Sequence, residues 1–509
     1  MTRKCMPLRP KQVLLLALAF LSCVGLAWPT QPSTWVVVGA QVADGTGQPL
    51  QQVDARIAGD RIVRVGKFAL RRGETVVRAD GLVLAPGFID IHNHSEEGLE
   101  REPLATSQVS QGITTLVVGA DGNSPWPIRE FLDKLRRAPP AVNVLVLVGH
   151  ATVRRRVIGE DFRRAARPEE IAAMQKLMEQ GLREGAVGLS TGLEYEVGSY
   201  STTDEVVALA RVAARRGGFY MSHIRDEADR SLEALAEAIA IGERAPIPVQ
   251  ISHIKLGTVG VWGKAAEAVR LVDGARRRGL DVTADSYPYD AWASTITVLI
   301  PSKRHDDPAS VARGIADVGG AKNITVIHSA AHPEYEFRTL DDIARQKGIT
   351  PVELYIQIVR EGGAGVVCRS MMEEDIRTFY QQPWVMVASD GGIGMRHPRG
   401  AGSFPKVLAR YVREQKWLTL PEAIRKMTSL PAARLKLKDR GRIAPGMKAD
   451  LVLFHPERVA DRSTFSDPHR LSEGIEKVWV NGELVWDAAP ARGKQPGATG
   501  ARPGRVLPR

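Results

Sequence analysis

The chain has 509 residues, of which 44% are hydrophobic and 25% charged, a composition that excludes disorder across its body and provides a core for two or three domains, or for one barrel with an accessory domain. Its net charge of +11 sits at the ends: Arg3, Lys4, Arg9 and Lys11 open the chain, and Arg492, Lys494, Arg502, Arg505 and Arg509 close it. The body between is nearly neutral, so the charge gives no reason to expect a nucleic-acid partner.

In chain order, the first element is an export signal over residues 1–27, with basic residues, the apolar run Val13 to Leu21, and small residues Gly25 and Ala27 before Trp28-Pro29. The run is short for a membrane span, and the mature chain is expected to have no stable one. The same residues also allow an uncleaved anchor, and Cys23 offers a lipid-attachment alternative. The protein is therefore expected to be exported and periplasmic, with membrane anchoring as the alternative. Cys5, Cys23 and Cys368 are the only cysteines, so cleavage after Ala27 would leave one and exclude an intramolecular disulfide.

Residues 33–85 alternate apolar and polar positions around turn signals such as Asp44-Gly45 and Asp80-Gly81, an antiparallel β texture. It returns at 436–487, where Asn481-Gly482 reads as a hairpin turn, so the two ends are expected to form one small β-sandwich domain. Between them, residues 86–435 carry eight short apolar runs: Phe88 to His92, Thr115 to Gly119, Val142 to Val148, Val187 to Ser190, Phe219 to Ser222, Val249 to Ser252, Val282 to Asp285 and Val385 to Ser389. Amphipathic stretches such as Pro168 to Glu184 and Lys264 to Arg278 separate them. This β-then-α rhythm predicts an α/β fold, a (β/α)8 TIM barrel. A doubly wound sheet would need a glycine-rich phosphate turn after its first strand, and there is none. Residues 291–375 hold more chain than one crossover needs and predict an insertion before the last strand, either a lid or a structural decoration. The tail, 488–509, is expected to be disordered.

The strongest local signal is Gly87-Phe88-Ile89-Asp90-Ile91-His92-Asn93-His94. Side chains alternate along a strand, so His92 and His94 point to one face and can reach one metal ion. His223, His253 and Asp390 each fall at or just past the end of the fifth, sixth and eighth predicted strands, where a barrel gathers catalytic groups. One of them alone reads as a core residue; their convergence reads as a metal site.

This pattern resembles the amidohydrolase superfamily, over about Trp35 to Trp486. Ser190-Thr191-Gly192-Leu193-Glu194-Tyr195, His223-Ile224-Arg225-Asp226-Glu227, Ser252-His253-Ile254-Lys255, Tyr287-Pro288-Tyr289 and His397-Pro398-Arg399 are similar to motifs of the N-acyl-D-amino-acid deacylases, the D-aminoacylases and N-acyl-D-glutamate deacylases. The resemblance implies hydrolysis of a small N-acylated amino acid with one or two zinc ions. His223 and His253 would hold the tighter ion, His92 and His94 a second, and Asp390 would shuttle protons. Tyr195, Tyr287 and Arg399 would face the substrate, with Arg399 on its α-carboxylate. The chain departs from the family in one place: Asp121, in Gly119-Ala120-Asp121-Gly122, stands where D-aminoacylases carry a cysteine ligand. It either supplies an oxygen ligand or merely caps the loop, and Glu194 is a further bridging candidate. Lys255 and Arg225 are either partners for an acidic substrate side chain or structural ion pairs, and His150 and Arg154 are unassigned pocket candidates. The fourth strand lacks the lysine that hydantoinases and dihydroorotases carboxylate, which makes cyclic-amide hydrolysis the runner-up; a non-catalytic scaffold is the alternative of a different class.

Overall fold

The computed structural model describes residues 34–490 and 495–508. The expected signal segment, with Cys5 and Cys23, lies outside the described residues. No described helix is long and apolar enough to cross a membrane.

The fold is mixed α/β. Its centre is a set of parallel strands: β1 (Phe88–Asp90), β2 (Ile113–Val118), β3 (Asn143–Val146, resumed at Val148–Gly149), β4 (Gly188–Gly192), β5 (Phe219–His223), β6 (Val249–Ile251), β7 (Val282–Ser286) and β8 (Val385–Val387). They follow the eight apolar runs of the sequence. β1, β2 and β3 pair in order, as do the second piece of β3, β4, β5, β6, β7 and β8. A parallel bridge between Asn93 and Gly391 links the residues after β8 back to those after β1. Both faces of these strands are buried, which is why they read as apolar runs rather than alternating ones. Phe88, Leu116, Val144, Leu189, Val249 and Val385 belong to the large core that includes the helices, whereas Ile89, Val117, Leu145, Val187, Phe219 and Met386 gather in a separate cluster.

Around this centre, helices such as Pro168–Glu184, Thr203–Arg215, Ser231–Arg244 and Ala265–Arg277 alternate with the strands. Two of their ends have a clear local cause. Thr202 accepts a hydrogen bond from the Glu205 backbone N–H at the head of the second, and Gly185 ends the first at φ 124°.

The chain ends meet in β structure. Val83–Pro86 pairs antiparallel with Leu451–Phe454 inside a seven-stranded sheet, and a four-stranded sheet is built from Thr34–Val38, Asp54–Ala58, Arg61–Gly66 and Thr75–Arg78. Val37, Ile57 and Ile62 of the second share a core with Leu84, Leu451 and Trp479 of the first.

The insertion has a sheet of its own. Trp292–Thr295, Gly365–Cys368, Ile324–His328 and Arg338–Thr339 form four antiparallel-paired strands, with helices Pro308–Asp317, Leu340–Lys347 and Pro351–Arg360 beside them.

The disorder expected of 488–509 does not hold for its described residues 495–508. Gly497–Ala498 pairs with Glu483–Asp487, the Val144 backbone N–H donates to the Arg505 carbonyl at 2.9 Å, and the Leu507 N–H donates to the Val144 carbonyl at 3.0 Å. Leu507 is buried in the cluster with Ile89, Val117, Leu145 and Met386. A Pro/Gly-rich composition describes an unpaired chain, but here the edge of β3 supplies the backbone partners and an apolar pit accepts Leu507. Leu507→Ala is therefore expected to lower unfolding free energy by about 2–3 kcal/mol, measured by denaturant titration; an unchanged midpoint would mean the tail is detached in solution.

Candidate metal centre

Strand geometry places the functional side chains. His92 and His94 follow β1, Asp121 follows β2, Glu194 follows β4, His223 ends β5, His253 follows β6 and Asp390 follows β8. Asp121, His253 and Asp390 have φ of 54°, 32° and 47°, the left-handed region that side chains other than glycine rarely occupy. Each costs about 1–3 kcal/mol and persists only where the surroundings fix it. Here the His253 N–H donates to Asp285 Oδ1 at 2.8 Å and the Asp390 N–H to the His92 carbonyl at 3.0 Å. Ser190 Oγ accepts from the Gly122 N–H at 3.2 Å and donates to the Gly119 carbonyl at 2.6 Å, pinning the loop that carries Asp121. Gly192 lies so close that a Cβ there would stand 2.4 Å from the Asp121 carbonyl.

The side chains converge on one carboxylate oxygen. Asp121 Oδ2 stands 3.4 Å from His92 Nε2, 3.5 Å from His94 Nε2, 3.5 Å from His253 Nε2 and 4.0 Å from His223 Nδ1. Asp390 Oδ1 is 3.4 Å from His92 Nε2 and 3.1 Å from His94 Nε2, and its other oxygen pairs with Arg399 at 2.7 Å. His223 Nδ1 is 3.0 Å from His253 Nε2, and its far nitrogen is 2.9 Å from Glu194 Oε2. His92, His253, Asp121 and Asp390 present atoms within ion-holding distance of one another, and so do His223, Glu227 and His253.

The electrostatics are those of a cation site. Burial disfavours charge on His94, but hydrogen bonds to Asp121 and Asp390 push its pKa up to about 10. Burial and the nearby Lys255 oppose charge on His253, yet Glu227, Asp390 and Asp121 push it up to about 9. Burial would raise the Asp390 carboxyl; the Arg399 guanidinium, then His253 and His92, override it and hold it well below the usual range. Carboxylates that keep buried imidazoles protonated also attract a divalent ion, which takes those imidazoles in neutral form.

The remaining expectations divide. Tyr195 faces the cavity with its ring 4.4 Å from that of His223. Tyr287 is buried and does not line the cavity; its ring centre is 5.0 Å from the Arg399 guanidinium and 5.8 Å from the Lys255 ammonium. Lys255 lines the cavity, but its charge is met by Glu227 at 2.6 Å and it also touches His253 Nδ1 at 2.8 Å. Arg225 forms a two-point pair with Glu237 at 2.8 and 2.9 Å, the structural of its two readings. His150 and Arg154 are not on the cavity: both are buried against Glu205, at 2.8 and 2.7 Å. Glu227 and Asp285, not singled out from the sequence, each contact histidines of this cluster: Glu227 lies 3.0 Å from His253 Nδ1 and Asp285 3.3 Å from His92 Nδ1. Only their positions at or just beyond the ends of β5 and β7 could have flagged them.

A cavity of about 1630 Å³ opens over these groups. The insertion supplies one wall with Trp292, Val298, Leu299 and Lys303, and the Lys303 ammonium donates to the Glu194 carbonyl at 2.7 Å.

Imidazoles and carboxylates gathered at the C-terminal ends of parallel strands, below a large cavity, define the site of a metal-dependent hydrolase. The profile of the amidohydrolase family matches residues 75–486, and the chain belongs to that family. It is 35% identical to a D-aminoacylase of Alcaligenes xylosoxydans xylosoxydans over 505 residues, covering 94% of this chain and 98% of the relative. It is 37% identical to an N-acyl-D-glutamate deacylase of the same organism, covering 93% and 96%. A solved structure of N-acyl-D-glutamate deacylase from Bordetella bronchiseptica, complexed with zinc and a phosphonate mimic of the tetrahedral intermediate, superposes with a TM-score of 0.84 at 34% identity, covering 94% of this chain and 100% of that one.

Proposed function

We propose that this protein is a zinc-dependent deacylase of N-acyl-D-amino acids, releasing a carboxylate and a free D-amino acid. The observation that carries it is the single oxygen of Asp121 facing four imidazoles from three strand ends, beside Asp390, in a chain alike over nearly its whole length to enzymes of that chemistry. The strand order and the Asn93–Gly391 bridge support a (β/α)8 barrel, and the core shared by the two end sheets supports a β-sandwich beside it.

The residues fit the metal. Both ring nitrogens of His92 and Oδ1 of Asp121 are buried without a well-aligned hydrogen-bond partner, and imidazole with carboxylate is a donor set that zinc accepts. His92, His94, Asp121, His223 and His253 would hold it. Bound zinc polarises a carbonyl and lowers the pKa of water from ~15.7 to about 7. Asp390, ionised by its surroundings, accepts the proton of the attacking water and returns it to the amide nitrogen as the C–N bond breaks. Arg399, with the Tyr287 ring beside it, is placed for the substrate's α-carboxylate, and Tyr195 closes the side next to His223. β4 offers no lysine for the bridge of cyclic-amide hydrolases, which sets that reading second.

A panel of N-acetyl-D- and N-acetyl-L-amino acids assayed with zinc tests this. Release of free amino acid is expected from D-compounds at least about 100-fold faster than from L-compounds, a difference of ~2.7 kcal/mol at the barrier. Inactivity on every D-compound alongside hydrolysis of a cyclic imide would replace this reading with the second.

A further inference from the structure

Behind the imidazoles lies a carboxylate outside the proposed metal ligands. Asp285, on β7, is fully buried; its Oδ2 accepts from Gln250 Nε2 at 2.8 Å, and its Oδ1 accepts from the His253 backbone N–H at 2.8 Å and stands 3.3 Å from His92 Nδ1. Among the described residues no lysine or arginine nitrogen pairs with it within 4.0 Å.

The direction of each neighbouring hydrogen bond is fixed by its donors. Arg434 donates to Thr283 Oγ1 through Nε at 3.0 Å and a terminal nitrogen at 2.7 Å. The Thr283 hydroxyl therefore turns its own proton to Gln250 Oε1, 2.5 Å away. With its oxygen so occupied, Gln250 faces Asp285 with N–H. Asp285 thus accepts on both oxygens and has no proton to give, so it favours the ring form in which His92 Nδ1, 3.3 Å away though not in hydrogen-bond alignment, carries the proton. When the ring is neutral, the lone pair sits on Nε2, turned toward Asp121 and Asp390 at 3.4 Å each.

We infer that Asp285 is a positioning residue that selects the metal-binding tautomer of His92 and fixes the left-handed backbone of His253, so tying a ligand after the first strand to one after the sixth. The inference rests on the metal-centre reading above. Such a partner costs about 10–100-fold in metal affinity when removed.

The test is zinc affinity by chelator competition on the full chain, with thermal unfolding measured in chelator. Asp285→Asn is nearly isosteric, yet its amide must point N–H at Gln250 or at His92 and His253, all of them donors. Asp285→Asn and Asp285→Ala are both expected to bind zinc about 10–100-fold more weakly, with Asp285→Asn unfolding in chelator close to wild type and activity partly recovered by excess zinc. Wild-type zinc affinity in folded Asp285→Asn would overturn the inference alone. Wild-type protein that binds no zinc would overturn the metal-centre reading and the inference with it.

Discussion

Asp390→Asn should lower kcat by roughly 10²–10⁴-fold, the range for loss of a positioned proton-transfer group, while bound zinc stays close to the wild-type amount. The structure explains why the two effects separate. Asp390 lies 3.4 Å from His92 and 3.1 Å from His94, but Asp121 already faces all four imidazoles, so an amide at position 390 leaves the other donors in place. What the amide cannot do is take a proton. The wild-type carboxyl is held well below its usual range, chiefly by Arg399 against the opposing effect of burial, so the proposed base is ionised. Activity retained in Asp390→Asn would remove it from proton transfer and leave it as an anchor for Arg399. Zinc lost together with activity would make it a ligand first.

The parts of this site that could be read from the sequence are those set by periodicity. Two histidines spaced by one residue share a face because strands repeat every two residues, and His223, His253 and Asp390 each close an apolar run, so their place at a strand end follows from the run itself. The strands were legible for the same reason: a strand buried on both faces is a short apolar block between turn residues. Pairing is another matter. Nothing in Arg225 or Lys255 says that Glu237 or Glu227 will meet its charge, because those partners come from a different turn of chain and are chosen by packing. His150 looked like a pocket residue for its position after β3, but Glu205, from a neighbouring helix, holds it in the core. Asp285 lies inside the strand Val282–Ser286, where a lone aspartate reads as a strand end rather than as a support for His92 and His253. For the described residues 495–508, composition reports what a segment does alone, not that β3 leaves an edge and an apolar pit for Val506 and Leu507.

Asp121 is the residue on which substitution should be most revealing. Asp121→Ala removes the oxygen that faces all four imidazoles, and it is expected to lower zinc content and to cut kcat/KM by about 10³-fold, equivalent to ~4 kcal/mol of lost transition-state stabilisation. Buried imidazoles without their carboxylate also lose the field that makes the site attractive to a cation, so added zinc should recover only part of the activity. Asp121→Cys separates ligand from loop cap. The proposed donor set is nitrogen and oxygen alone, since Cys368, the cysteine among the described residues, is buried in the core with Val366 and Trp292 rather than at the centre. A thiolate at position 121 should therefore restore metal binding and move preference toward softer ions, cadmium gaining over manganese relative to wild type in competition measurements. A loop cap predicts otherwise: Asp121→Ala would keep its zinc and lose stability instead, because the φ of 54° would no longer be supported by the side chain. Metal analysis of the two variants, with unfolding followed in parallel, decides between a ligand and a turn residue.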